Sequence, residues 1–181
     1  MNAFEVMAVG AIISAVMDMI SHDPKIGSAS ERAVIRTCVK RIGVLWAALV
    51  SSHQHFCFGL TTITLPVLSH GGQFLDLDFA LCIGGIIHFA LSYAPFTSHD
   101  PAYVLAMPGN SEATVTATLE NDRRRREYCA NNNIPFLELR GNLSIAQRTV
   151  HVDYVINTGE VRVVSQNNTV LILDDNFNIA S

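Results

Sequence analysis

Residues 42–75 contain no Asp, Glu, Lys or Arg, and neither do residues 79–99; only Asp76 and Asp78 separate the two runs. A helix crosses a bilayer core with about 20 predominantly apolar residues, and each run is long enough for that. Gly71, Gly72 and the two aspartates then read as the polar tip of a membrane hairpin. Residues 4–20 (FEVMAVGAIISAVMDMI) are apolar around nearly the whole helical circumference and supply a third, short span. A buried helix of a bundle has the same pattern and is the competing reading. The expected fold class is α+β: N-terminal apolar helices, about three membrane spans, over residues 1–97, then a small β-rich C-terminal domain over 98–181.

Charged residues make up 15% of the 181 residues and apolar ones 49%. Soluble domains average roughly 25% charged, so the deficit points the same way. The net charge of −4 carries no basic excess, and no nucleic-acid partner is implied. Cys38, Cys57, Cys82 and Cys129 show no paired spacing, which argues against a disulfide framework or a zinc ribbon.

Orientation follows from the loops. Residues 21–41 hold Lys25, Arg32, Arg36, Lys40 and Arg41, whereas 69–78 hold no basic residue. Positive residues in short loops stay inside, so the N-terminus is expected outside and the C-terminal domain in the cytoplasm. Ser30 is placed to cap a helix beginning at Glu31.

After Ser98 the pattern turns toward period two. Ala113, Val115, Ala117 and Leu119 alternate with threonines, which predicts a strand, although Ser111 could equally cap a helix there. Residues 122–130 read as a helix. Residues 134–139, 149–156, 160–165 and 169–173 read as strands, with hairpin turns at Asn157-Thr158-Gly159 and Asn167-Asn168.

Three groups of residues are candidates for chemistry. Ser-His-Asp-Pro occurs twice, placing His22, Asp23, His99 and Asp100 at one membrane boundary, where two imidazoles and two carboxylates could fill a tetrahedral divalent-metal site. The same residues also simply stop helices. His53, His55 and His88 fall inside the spans, as pore or proton-path groups or as interhelical hydrogen bonders. Arg123, Arg124, Arg125 and Arg126 could meet lipid head groups; alternatively Glu120, Asp122 and Glu127 neutralise them at helical spacing.

No motif identifies a cofactor. In outline alone the arrangement resembles small viral matrix and viroporin-like membrane proteins. The expected function is an oligomeric structural or pore-forming membrane component, partnered by the bilayer and by copies of itself or a larger membrane complex. The alternatives are a membrane-anchored subunit of a bacterial secretion or conjugation machine and a metal-dependent enzyme using the His/Asp repeats.

Overall fold

The computed structural model describes residues 29, 32–34, 36–37, 63–83, 86–94 and 101–180. The described positions between 29 and 37 are helical, Ala29 included, so the helix starts earlier than the expected Ser30 cap, and Val34 in it is fully buried. Ten elements follow in the order β1 (Ile63–Leu68), β2 (Phe74–Leu77), β3 (Phe79–Ile83), β4 (Ile86–Ala94), α1 (Pro101–Ala106), α2 (Glu112–Asn131), β5 (Phe136–Arg140), α3 (Ile145–Thr158), β6 (Val161–Val164) and β7 (Val170–Leu171).

The described part of the charge-free segment, residues 63–83 and 86–94, therefore has a different explanation from the expected spans. Residues 63–68, 74–77, 79–83 and 86–94 form strands, and among the described residues no helix is long and apolar enough to cross a membrane. A strand buried on both faces reads as a continuous apolar run, and over residues 89–93 of β4 the lack of charge reflects burial in protein. Phe89, Ala90 and Leu91 are no more than 1% exposed. Asp76 lies within β2 and Asp78 just before β3, so neither marks the tip of a helical hairpin. The N-terminal stretch 4–20 lies outside the described residues.

β1 and β2 form an antiparallel ribbon, and the other strands form one sheet in the order β3-β4-β5-β6-β7. β4, β5 and β6 run parallel, with antiparallel β3 and β7 at the edges. Strands from either side of residue 97 are thus neighbours in one sheet. The register aligns Ala90 with Phe136 and Phe136 with Val161, which puts these side chains on one face. There they pack with Leu65, Leu77, Ala80, Cys129 and Ile134, so the β1–β2 ribbon and α2 cover that face. The opposite face carries Leu91, Tyr93, Leu137, Leu139, Arg162 and Val164. The Tyr154 ring of α3 meets the Arg162 guanidinium there, at 3.8 Å from centroid to Cζ. The two long helices therefore flank opposite faces.

The second half of the chain is less strand-rich than its alternation predicts. Residues 113–119 are helical because Ser111 and Thr114 form a reciprocal capping box, while Thr116 and Thr118 donate to the carbonyls of Glu112 and Thr114 at 2.9 and 3.0 Å. Residues 149–156 lie in α3. Arg148, His151, Val152 and Val155 form its buried stripe, a helical spacing that a period-two reading hides. Gly159 is not a hairpin turn but the left-handed C-cap of α3, with φ 74°. The expected turn at Asn167-Asn168 does join β6 to β7.

Candidate functional site

In α/β sheets ligands usually sit beyond the carboxyl ends of the parallel strands. At those ends β4 presents Ser92, β5 presents Glu138 and Arg140, and Asp78, Asp122 and Arg126 approach from the flanking elements. Ser92 and Glu138 are register partners. Asp78 Oδ2 accepts from Ser92 Oγ at 3.1 Å and from the Tyr93 amide at 2.7 Å, which ties the start of β3 to the end of β4.

Glu138 is the centre of this network. Its Oε2 accepts from Arg126 Nη1 at 2.7 Å and its Oε1 from Arg140 Nε at 2.6 Å. The Glu138 and Arg126 side chains are 2% and 3% exposed. Buried charges are tolerated only when paired and hydrogen-bonded. Asp122 closes the network by accepting from Arg125 Nη1 at 2.9 Å and from Arg140 Nη2 at 3.4 Å. Directly after β5, Gly141 adopts φ +114°, and a Cβ there would fall within 2.8 Å of Gln166 Cα, so the β5 and β6 exits are pressed together.

Successive helical residues point about 100° apart, so four consecutive arginines reach four directions. Arg123 binds Glu120, Glu127 and the Asn176 carbonyl. Arg124 binds Glu120 and the Leu68 carbonyl, and Arg125 binds Asp122 and the Asp76 carbonyl. Arg126 donates to Glu138 and to the Phe177 carbonyl. The pairs Glu120–Arg124 and Arg123–Glu127 are those that helical spacing predicts, whereas Arg126 turns inward to Glu138 rather than to Asp122. Arg123 and then Arg124 hold the Glu120 carboxyl down at about 2.

A second polar cluster lies on the other face, between α3 and the β6–β7 hairpin. His151 is 4% exposed, and its Nε2 lies 2.9 Å from Asn168 Oδ1. Its Nδ1 is buried and has no hydrogen-bond partner among the described residues; the same holds for Arg162 Nε. Burial pushes the His151 pKa down, the Asn168 hydrogen bond pulls against that shift, and the Arg162 charge adds to it. The Tyr154 hydroxyl donates to Glu160 Oε2 at 2.7 Å.

His22, Asp23, His53, His55, His99 and Asp100 lie outside the described residues. His88 is exposed on β4 rather than enclosed in a helix. Among the described residues no group of three or more His, Cys, Asp or Glu side chains could hold a metal ion. Sequence reasoning missed Glu138 and His151. The signal for Glu138 was the pair Glu138 and Arg140, two apart on an otherwise apolar strand and so on one face. Nothing local marks His151, whose burial depends on β6 and the hairpin. No family model, curated protein or solved structure matches this chain.

Proposed function

We propose that the chain is a structural component that assembles with copies of itself, its polar network serving to hold the fold. The observation that carries this reading is α1. Its sequence PAYVLA has no charged residue, and Val104 is its only buried one. Tyr103, Leu105 and the following Met107 are 40%, 44% and 46% exposed. All three lie on or directly after this one short helix. Contiguous exposed apolar surface on a folded protein marks an interaction site. An uncharged patch is its own complement, so a two-fold contact between identical copies needs no matching charge pattern. The carboxylates at the strand ends support the same reading. Asp122 and Glu138 already accept from arginines, which leaves them poorly placed as a general base or as metal ligands. The expected helical spans are not retained where the structure describes them, since residues 63–68, 74–77, 79–83 and 86–94 are strands.

Sedimentation velocity of the full chain tests the proposal. A dimer or larger species is expected at micromolar concentration, and Leu105→Glu should shift it to monomer without changing the far-ultraviolet circular dichroism. A wild-type chain that stays monomeric across that range overturns the reading.

A further inference from the structure

We propose that His151 is a proton-controlled latch between α3 and the β6–β7 hairpin, closed while its ring is neutral and released when the ring takes up a second proton. With Asn168 Oδ1 as the acceptor, Nε2 carries the proton and Nδ1 is bare. A second proton would therefore go to Nδ1. That atom is buried and has no acceptor among the described residues.

The surroundings oppose the resulting charge. On α3 itself, Arg148 lies three residues earlier, on the same buried face. Asp153, two residues along, points elsewhere. β6 contributes the cation Arg162, and β5 contributes the apolar, fully buried Leu137 and Leu139. The hairpin turn contributes neutral Asn168. Among the described residues no carboxylate forms an ion pair with His151. An imidazolium here would be a buried charge with an unsatisfied donor beside like charge, and leaving the site is its way to solvation.

Departure breaks the bond to Asn168, the turn's tie to α3, and leaves it closed by its own bonds, Thr169 N to Ser165 Oγ at 3.2 Å among them. Asn168 sits at φ 61° in a loop closed by Ser165 N to Thr169 O at 2.8 Å and Asn168 N to Ser165 O at 3.0 Å. Beyond it, β7 pairs with β6 only at Val163↔Leu171 and Val164↔Val170. Further on, the Asn176 and Phe177 carbonyls accept from Arg123 and Arg126. Opening the latch therefore loosens the last edge strand and, through it, one brace of the buried Arg126–Glu138 pair.

Hydrogen exchange of the full chain, corrected for the intrinsic pH dependence of exchange, reads the latch directly. Between about pH 7.5 and about pH 5, either side of the ordinary histidine pKa, amides of the hairpin should lose protection by roughly tenfold or more. The amides of β5 should change less. In His151→Gln an amide donor takes the place of Nε2 and nothing titrates, so protection should be equal at both pH values. Asn168→Ala should show the unprotected hairpin already at about pH 7.5. Undiminished protection in the wild type at low pH, an equal loss in His151→Gln, or a fully protected hairpin in Asn168→Ala would each overturn the proposal. Should the glutamine variant fail to fold, the wild type and Asn168→Ala decide the question together.

Discussion

Glu138 occupies the one place in β5 where a leucine would have cost nothing in solvation, and two arginines make it tolerable. Removing one partner of a buried ion pair leaves an uncompensated charge, at a cost of about 3–5 kcal/mol. Replacing both by apolar residues of similar size is often neutral or stabilising. Arg126→Met alone should therefore strongly lower the urea midpoint. Arg126→Met with Glu138→Leu should recover much of that loss, less whatever Arg140 forfeits with its partner. A double variant as unstable as the single would mean that the pair does more than neutralise itself. The interior of this network was not legible in the sequence. Helical spacing correctly coupled Glu120 to Arg124 and Arg123 to Glu127, because those contacts are local. The contact between Arg126 and Glu138 spans 12 residues and exists only because α2 lies across β5.

The elements show why alternation misled. A Val-, Thr- and Ile-rich run has high β propensity, yet α3 forms because Ser144 and Gln147 build a capping box and Gly159 closes the other end. Ser144 Oγ accepts from the Gln147 amide at 3.2 Å, and Gln147 Oε1 accepts from the Ser144 amide at 2.9 Å. Ser144→Ala should destabilise the protein by about 1 kcal/mol, the usual cost of a lost N-cap. Ser144→Asp should retain most of the stability, since aspartate caps as well as serine does. Chemical denaturation of the two variants separates capping from a general effect of substitution: equal losses in both would show that the cap is not what holds α3. The Ser111 cap was readable from sequence as the alternative to a strand, as were the strand cores at 136–139 and 161–164, but the Ser144 cap went unread. What hid α3 was that Val150, Val152, Tyr154 and Ile156 recur at period two, whereas its buried residues Arg148, His151, Val152 and Val155 follow helical spacing.

For the whole molecule, acid should act in two stages. His151 has a folded pKa below its ordinary 6.5, so the unfolded chain takes up this proton first. The stability it contributes is full above about 6.5 and is lost as the pH falls below that value. Glu120 is depressed from 4.5 to about 2, so its contribution is present above 4.5 and is lost as the pH falls toward 2. Thermal melts across this range should show both declines. His151→Gln should remove the upper one and Glu120→Gln should shrink the lower one, to which Asp174 also contributes; declines unaffected by either variant would refute the assignment. By itself the sequence determined where charge is excluded and where a turn such as Asn167-Asn168 falls, because these are properties of neighbours along the chain. It could not determine what encloses the apolar segment, since lipid and a covering layer of protein select the same residues. For the described part only the tertiary structure decided that: strands cannot leave their amides unpaired in an apolar medium, and here β1 and β2 pair with each other while β3 and β4 pair within the five-stranded sheet.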